Sequence, residues 1–306
     1  PMWANLQLVF CKSATNLVVG FYLNEKPLSL SGLRPVLTTG VGTSWYLWDD
    51  VKAHCQHYLD KQRLMNRTRS INTMVGTDYA VTPSVGRYGK GSEEHGQTIP
   101  AVLEPHGHTF WTPQTQDTEQ KCVAPYYYRD SLFQGFRGSH WLVGGCTQDY
   151  GSFTLMPMMD SLRLKATCRA TPFSHHDEVS HPYYYAVKLP KEHLYAEMTG
   201  RSRSAIFRFT PDKTGEMHIV VHPNSDEREG FVAIDSAQGR IWGYNPVHRI
   251  YQGWGEKAGF SGWFVVQFRH PFKTCGVKDS VAFVTFDVRA GEPVLAKAAC
   301  SFNDLM

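Results

Sequence analysis

The chain has 306 residues, of which 42% are hydrophobic, 13% aromatic and 19% charged, a composition typical of a packed globular protein. Lys and Arg number 31 against 28 Asp and Glu, and the resulting net charge of +3 is too balanced for a nucleic-acid partner. No apolar run approaches the roughly 18 residues that span a bilayer, which excludes a membrane-spanning protein and leaves no membrane partner.

Residues 1–70 are predicted to form an N-terminal extension of mixed α+β structure. The apolar runs at 6–10 and 17–23 predict two strands. From Ser44 onward, apolar residues recur at the spacing of an amphipathic helix: Leu47, Val51, Cys55 and Tyr58. No chemical motif occurs in this extension, and its role is left open.

Residues 71–306 are predicted to form an all-β domain. Strand-like runs separated by Gly and Pro lie at 218–221, 231–234, 262–268, 281–288 and 293–299. Apolar residues alternate within them, as in Phe264, Val266 and Phe268, which predicts antiparallel sheets packed as a sandwich. The run at 293–299 is expected to return beside 281–288 after a turn at Gly291 and Glu292.

Cysteine usage excludes two classes of site. The seven cysteines are widely spaced and form no CxxC pair, so neither a zinc ribbon nor a dithiol redox motif is indicated. Up to three disulfides stay open. The tripeptide Asn66-Arg67-Thr68 is a glycosylation sequon, which matters only if the chain is secreted. The expected location is secreted or extracellular.

The run from His175 to Glu178, followed by His181, has the composition of a metal site. Neighbouring side chains on a strand point to opposite faces, so the run cannot converge on one ion without a bend, and a polar loop is the favoured interpretation. The pair His106 and His108 is weak for the same reason. The sequence has no GxSxG nucleophile motif and no phosphate-binding loop.

The segment 125–157 has the profile of a sugar-binding site. It combines three consecutive tyrosines with Arg, His, Trp and Asp in a glycine-rich setting. Aromatic faces stack on the C–H groups of a pyranose, and polar side chains bind its hydroxyls.

The same segment resembles the N-terminal domain of glycoside hydrolase family 92, the calcium-dependent exo-α-mannosidases. The resemblance lies in the order Gly-Phe, a His-containing turn, Gly-Cys, Asp-Tyr-Gly and Leu-Met-Pro. Further segments agree in order and spacing, at 95–101, 105–115, 173–185, 196–199 and 291–302. The match extends from about residue 75 to the end of the chain.

This resemblance implies a β-supersandwich that precedes a helical catalytic barrel. In the family the barrel carries the catalytic acid and base and most calcium ligands, so no catalytic residue and no metal ligand is assigned here. The implied activity is hydrolysis of terminal α-mannosides with inversion, and the implied cofactor is calcium bound by the barrel. The implied substrate-binding residues are Tyr126, Tyr128, Arg137, His140, Trp141 and Asp149. Cys146 lies in the same loop, where a buried structural role is favoured, and the run from His175 becomes a structural element.

Two departures from the family pattern leave three hypotheses open. The chain stops at Met306, where family members continue into the barrel, and Gln120 and Lys121 precede Cys122 where the family often has a Trp. The leading hypothesis is a carbohydrate-binding domain that acts on a mannose-containing glycan only together with a helical catalytic domain. The expected protein partner is a chain that carries this catalytic domain or a further copy of the chain in a homo-oligomer. The alternatives are a non-catalytic, lectin-like mannose-binding protein and a structural or assembly chain.

Overall fold

The computed structural model describes residues 6–12, 17–23, 26–27, 37–38, 44–45, 68, 70–78, 96–117, 119, 123–143, 148–225, 228–248 and 256–303. The chain divides into two units, residues 1–70 and residues 71–306. Each unit is described by itself.

The first unit contains the two strands predicted from its apolar runs. Strands β1 (Leu6–Lys12), β2 (Leu17–Leu23) and β3 (Lys26–Pro27) form an antiparallel sheet, and β4 (Leu37–Thr38) pairs with β5 (Ser44–Trp45). The predicted helix is therefore wrong at its first two residues, which form β5. The rest of that prediction, with Leu47, Val51, Cys55 and Tyr58, lies outside the described residues.

Within its described residues, the second unit is strand-rich and the helical turns are short. The helical elements are α1 (Ala166–Arg169) and two 3-10 turns, His175–Asp177 and Pro190–Glu192. The strands are β6 (Phe110–Gln114), β7 (Leu132–Phe133), β8 (Gly135–Ser139), β9 (Phe153–Met159), β10 (Thr171–Pro172), β11 (Glu178–His181), β12 (Tyr184–Leu189), β13 (Leu194–Gly200), β14 (Ser204–Pro211), β15 (Gly215–Pro223), β16 (Phe231–Asp235), β17 (Arg240–His248), β18 (Lys257–Phe268), β19 (Thr274–Lys278), β20 (Val281–Val288) and β21 (Val294–Ser301).

These strands form two large antiparallel sheets. One sheet has eight strands in the order β11-β12-β13-β14-β21-β18-β17-β16, and the other has six in the order β19-β20-β15-β9-β8-β6. A short pair, β7 with β10, stands apart from both. The prediction of an all-β, antiparallel sandwich is confirmed.

One hydrophobic core lies between the two sheets. Phe153 on β9 stacks on Phe264 on β18 with ring centroids 4.6 Å apart, and Phe268 on β18 meets Phe286 on β20 at 5.4 Å. The predicted alternation is confirmed, because Phe264, Val266 and Phe268 are all buried. Period-2 patterning therefore identified the core face of these strands.

The predicted return of 293–299 beside 281–288 is wrong. After the turn at Gly291, strand β21 crosses to the other sheet and pairs with β14 and β18. Strand β20 is already paired on both edges, with β15 and with β19, so it has no free edge for β21. The turn thus connects the two layers instead of closing a hairpin.

Among the described residues, no helix is both long and apolar enough to cross a membrane.

Candidate functional site

The connection from β8 to β9 carries the glycine-rich motif, and a buried carboxylate holds it in place. Asp149 is 5% exposed. It accepts hydrogen bonds from Ser139 Oγ at 2.6 Å and from the backbone N–H of His140 at 2.7 Å. The guanidinium of Arg137, also buried, lies 3.7 Å from Oδ2, the same carboxylate oxygen that accepts from Ser139. Both ends of the connection are therefore fixed to one side chain.

His140 is a neutral imidazole that fastens the same connection. The carbonyl of Tyr150 accepts a hydrogen bond from its Nδ1 at 2.9 Å, so Nε2 accepts one from Thr109 Oγ1 at 3.1 Å. Burial, with the neighbouring His108 and Arg203, lowers the pKa of His140 to about 3. With both ring nitrogens engaged, this side chain positions the loop.

Glu119 is a second buried carboxylate beside the first. Its Oε1 accepts hydrogen bonds from the backbone N–H of Ser152 at 2.8 Å, from the hydroxyl of Ser152, and from Asn245 Nδ2 at 3.1 Å. Burial and the negative charge of Asp149 raise the pKa of Glu119 well above its ordinary value. Glu119 thus links the motif to β17, and its carboxyl group favours the protonated form.

We expect Glu119→Gln to remove a pH-dependent loss of stability. A carboxyl whose pKa is raised in the folded state binds more protons folded than unfolded, so stability falls as pH rises above its ordinary pKa of 4.5. The amide keeps the Oε1 acceptor. The difference in unfolding free energy, variant minus native, should grow by up to about 1.4 kcal/mol per pH unit from pH 5 upward. Urea unfolding at pH 5, 6, 7 and 8 measures it, and a difference independent of pH would contradict the prediction.

A second buried carboxylate network lies under the three tyrosines. The hydroxyl of Tyr126 donates to Glu178 at 3.0 Å, the hydroxyl of Tyr185 donates to the same carboxylate, and His175 Nδ1 lies 2.5 Å from it. Burial and the charge of Glu178 raise the pKa of Tyr126, so its phenol stays protonated. The run from His175 is therefore a 3-10 turn tied to the tyrosine segment through Glu178.

An exposed rim stands on this network, and we call it the Tyr128 rim after its four residues Tyr128, Arg129, Asp78 and His175. The ring of Tyr128 is 37% exposed and stacks on His175, with centroids 4.0 Å apart and an interplanar angle of 7°. Arg129 Nε donates to Asp78 at 2.8 Å. The rim offers an aromatic face next to charged hydrogen-bonding groups.

The structure brings the six predicted site residues into three places. Arg137, His140 and Asp149 share the connection from β8 to β9, and Tyr126 and Tyr128 share the network under the rim. Trp141 packs in a small cluster with Ile99, Ala101 and Ala124. Only Tyr128 of the six is exposed, while the other five are at most 6% exposed.

The sequence did not single out Asp78, Glu119 or Arg129. Asp78 and Arg129 are 51 positions apart and Glu119 and Ser152 are 33 apart, so no local spacing marks either pair. Cys146, Gln120, Lys121 and Cys122 lie outside the described residues.

The described part of the chain contains no cluster of acidic side chains of the kind that holds calcium. Calcium takes six to eight oxygen ligands. Within the described ranges, no group of three or more His, Cys, Asp or Glu side chains stands close enough to hold a metal ion. No step of the chemistry is assigned to calcium on these residues.

Comparison with known proteins gives one family. Residues 71–301 match the Glycosyl hydrolase family 92 N-terminal domain. The chain is similar to an inverting mannosidase of family GH92 from Bacteroides thetaiotaomicron VPI-5482, with 28% identity and a TM-score of 0.62, over 76% of this chain and 31% of that one. A family GH92 alpha-mannosidase from Bacteroides thetaiotaomicron gives 25% identity and a TM-score of 0.60, over 78% of this chain and 33% of that one.

A third solved structure, the family GH92 glycosyl hydrolase ccman5, is 20% identical with a TM-score of 0.55, over 76% of this chain and 32% of that one, and shares the fold. No curated protein matches the chain. The chain spans about a third of the length of these solved relatives.

Proposed function

The chain belongs to glycosyl hydrolase family 92, the family that its motifs resemble, and on that premise we propose that it is the carbohydrate-binding part of an α-mannosidase-like enzyme. It binds the terminal α-mannoside of a glycan, and hydrolysis takes place only together with a helical catalytic domain. The match over residues 71–301 carries this proposal. The mannosidase names of two relatives at 25% identity or more support the substrate class.

The geometry of the Tyr128 rim supports a sugar contact at this place. A flat aromatic face stacks on the apolar face of a pyranose, and the charged ends of Arg129 and Asp78 are suited to hydroxyl groups. Tyr126 is buried in the network under the rim. The other four predicted residues are buried elsewhere and fix the loops in which they lie: Arg137, His140, Trp141 and Asp149.

The wider setting is part of the same proposal. The catalytic domain lies on a partner chain or on a further segment, and calcium belongs to it. The location is secreted or extracellular, and in that location the sequon Asn66-Arg67-Thr68 would be open to glycosylation.

We expect Tyr128→Ala to weaken binding of methyl α-mannoside or of α-mannobiose by about tenfold, the loss that follows when a ring stacked on a sugar is removed. NMR titration of the isotope-labelled chain measures the dissociation constant. Tyr195→Ala is the matched control, because Tyr195 has the same exposure of 37% but lies on β13. Circular dichroism verifies that both variants fold.

Mannoside binding and mannose release together separate the three hypotheses. A folded native chain that shows no saturable response to either mannoside contradicts the proposal and favours a structural or assembly role. Release of free mannose, measured with calcium and then with a chelator, tests the hydrolytic half. Mannoside binding without release of mannose, in an assay that also contains a helical catalytic domain, would favour the lectin-like alternative.

A further inference from the structure

A cleft of about 680 Å³ opens beside α1, and none of the residues that line it belongs to the Tyr128 rim. Its polar lining comes from four separate segments: Asp117, Lys165, His222, Ser225, Arg228 and Asp279. The volume lies within the range of small-molecule sites, about 300–1,000 Å³, and is large enough for a monosaccharide unit.

A buried positive charge lies directly behind the cleft. Arg169, the last residue of α1, is 0% exposed. Its hydrogen bonds are long, 3.4 Å from Nη1 to the carbonyl of Leu164 and 3.5 Å from Nη2 to His222 Nδ1, and within the described part of the chain its Nε has no partner. Burial and the nearby Arg137 lower the pKa of Arg169 to about 10, so it stays charged at neutral pH. Within the described ranges, Asp117 is the carboxylate whose charge favours this guanidinium.

His222 connects Arg169 to the cleft. Because a guanidinium only donates, Nδ1 of His222 is the acceptor in their contact, and the hydrogen of the imidazole lies on Nε2. Burial and the charges of Arg169 and Arg137 lower the pKa of His222 to about 3, so the ring stays neutral. His222 therefore contributes an N–H donor to the cleft.

Two further cations line the cleft on its outer side. Lys165 and Arg228 are exposed, and neither forms an ion pair with another residue of the described ranges. The negative charges that the described residues contribute to the cleft are the carboxylates of Asp117 and Asp279. Among the described residues, three cationic side chains therefore lie in or behind the cleft against two carboxylates, and the carboxylates accept hydrogen bonds from hydroxyl groups.

We propose that this cleft binds a phosphate group, free or carried on a sugar, through Lys165, Arg228 and the Nε2–H of His222, with Arg169 as a fixed charge behind them. Charge-assisted hydrogen bonds from Lys and Arg are the usual means of holding a phosphate. The carboxylates of Asp117 and Asp279 favour a sugar phosphate over inorganic phosphate, because the hydroxyl groups of a sugar donate hydrogen bonds to them.

The test is a titration of the whole chain, in a phosphate-free buffer at constant ionic strength, with inorganic phosphate, a hexose 6-phosphate and the neutral hexose. Isothermal titration calorimetry and 31P NMR report the binding. The variant Lys165→Gln with Arg228→Gln is expected to bind either phosphate compound about tenfold more weakly. The matched control is Lys188→Gln with Arg269→Gln, which removes the same charge from exposed positions outside the cleft and should bind as the native chain does.

The results of the phosphate titration can be distinguished from those of the mannoside titration. Tighter binding of the hexose 6-phosphate identifies a sugar phosphate as the ligand, and equal binding of inorganic phosphate identifies the free anion. Absence of saturation, or equal weakening in the control variant, overturns the proposal. Tyr128→Ala should leave phosphate binding unchanged, so loss of mannoside binding at the rim and loss of phosphate binding in the cleft are separate results.

Discussion

Replacing Asp149 by Ala is expected to lower the free energy of unfolding by about 3–5 kcal/mol, the cost of breaking a buried ionic network at one partner. The carboxylate accepts from Ser139 Oγ and from the backbone of His140, and it lies 3.7 Å from the guanidinium of Arg137. Alanine leaves two buried donors without their acceptor and takes away the nearest negative charge. Urea unfolding at pH 7 measures the loss.

Two companion variants show whether the buried network is the cause. Asp149→Asn keeps one carbonyl oxygen for the backbone of His140, so its loss should be smaller than that of alanine. Asp212→Ala removes a carboxylate whose side chain is 56% exposed and paired with His193, which should cost about 1 kcal/mol or less. A loss for Asp149→Ala as small as that of Asp212→Ala would contradict the assignment.

The sequence predicts the strands of the sandwich well because burial has a period of two along a strand. Strands β17 and β18 show this pattern plainly, with Ile241 and Val247 buried on one and Phe264 and Val266 buried on the other. It does not predict which strands pair. The placement of β21 depends on the free edges of β14 and β18, and those edges are set by strands far away in the sequence.

The site is predicted less completely, for a related reason. The motif from Gly135 to Gly151 predicts a segment for the site, but residue type alone does not separate a side chain that meets a ligand from one that holds a loop. Arg137 and His140 have the chemistry of sugar contacts, yet their partners are Asp149, Tyr150 and Thr109. Their burial follows from contacts between strands, which no local pattern contains.

The close packing of the two sheets explains why the Asp-Tyr-Gly motif ends in glycine. Gly151 has a φ of +70°, and a Cβ built on it would lie 2.5 Å from the backbone N of Gly262 and 2.8 Å from the carbonyl oxygen of Asn245. A Cβ on Gly262 would in turn overlap the carbonyl of Gly151. The chain before β9 and strand β18 thus approach each other closely, backbone to backbone, and both positions require glycine.

Gly151→Ala is accordingly expected to lower the free energy of unfolding by about 2–5 kcal/mol, from 1–2 kcal/mol of left-handed strain and 1–3 kcal/mol of overpacking against backbone that cannot rotate away. The shift needed to relieve the overlap would also move Ser152, whose N–H and hydroxyl bind Glu119. Urea unfolding at pH 7 measures the loss, and an unchanged m-value verifies that the denatured state is the same.

Gly291→Ala separates strain from close approach. Gly291 has a similar φ, +81°, but nothing lies within 4 Å of its Cβ position, so its loss should be only about 1–2 kcal/mol. Gly262→Ala, without a positive φ, should show the overlap alone, and its loss should exceed that of Gly291→Ala because the clash is with backbone. If Gly151→Ala and Gly291→Ala lose the same stability, the close contact between the two sheets does not constrain the motif, and Gly151 is needed only for its turn.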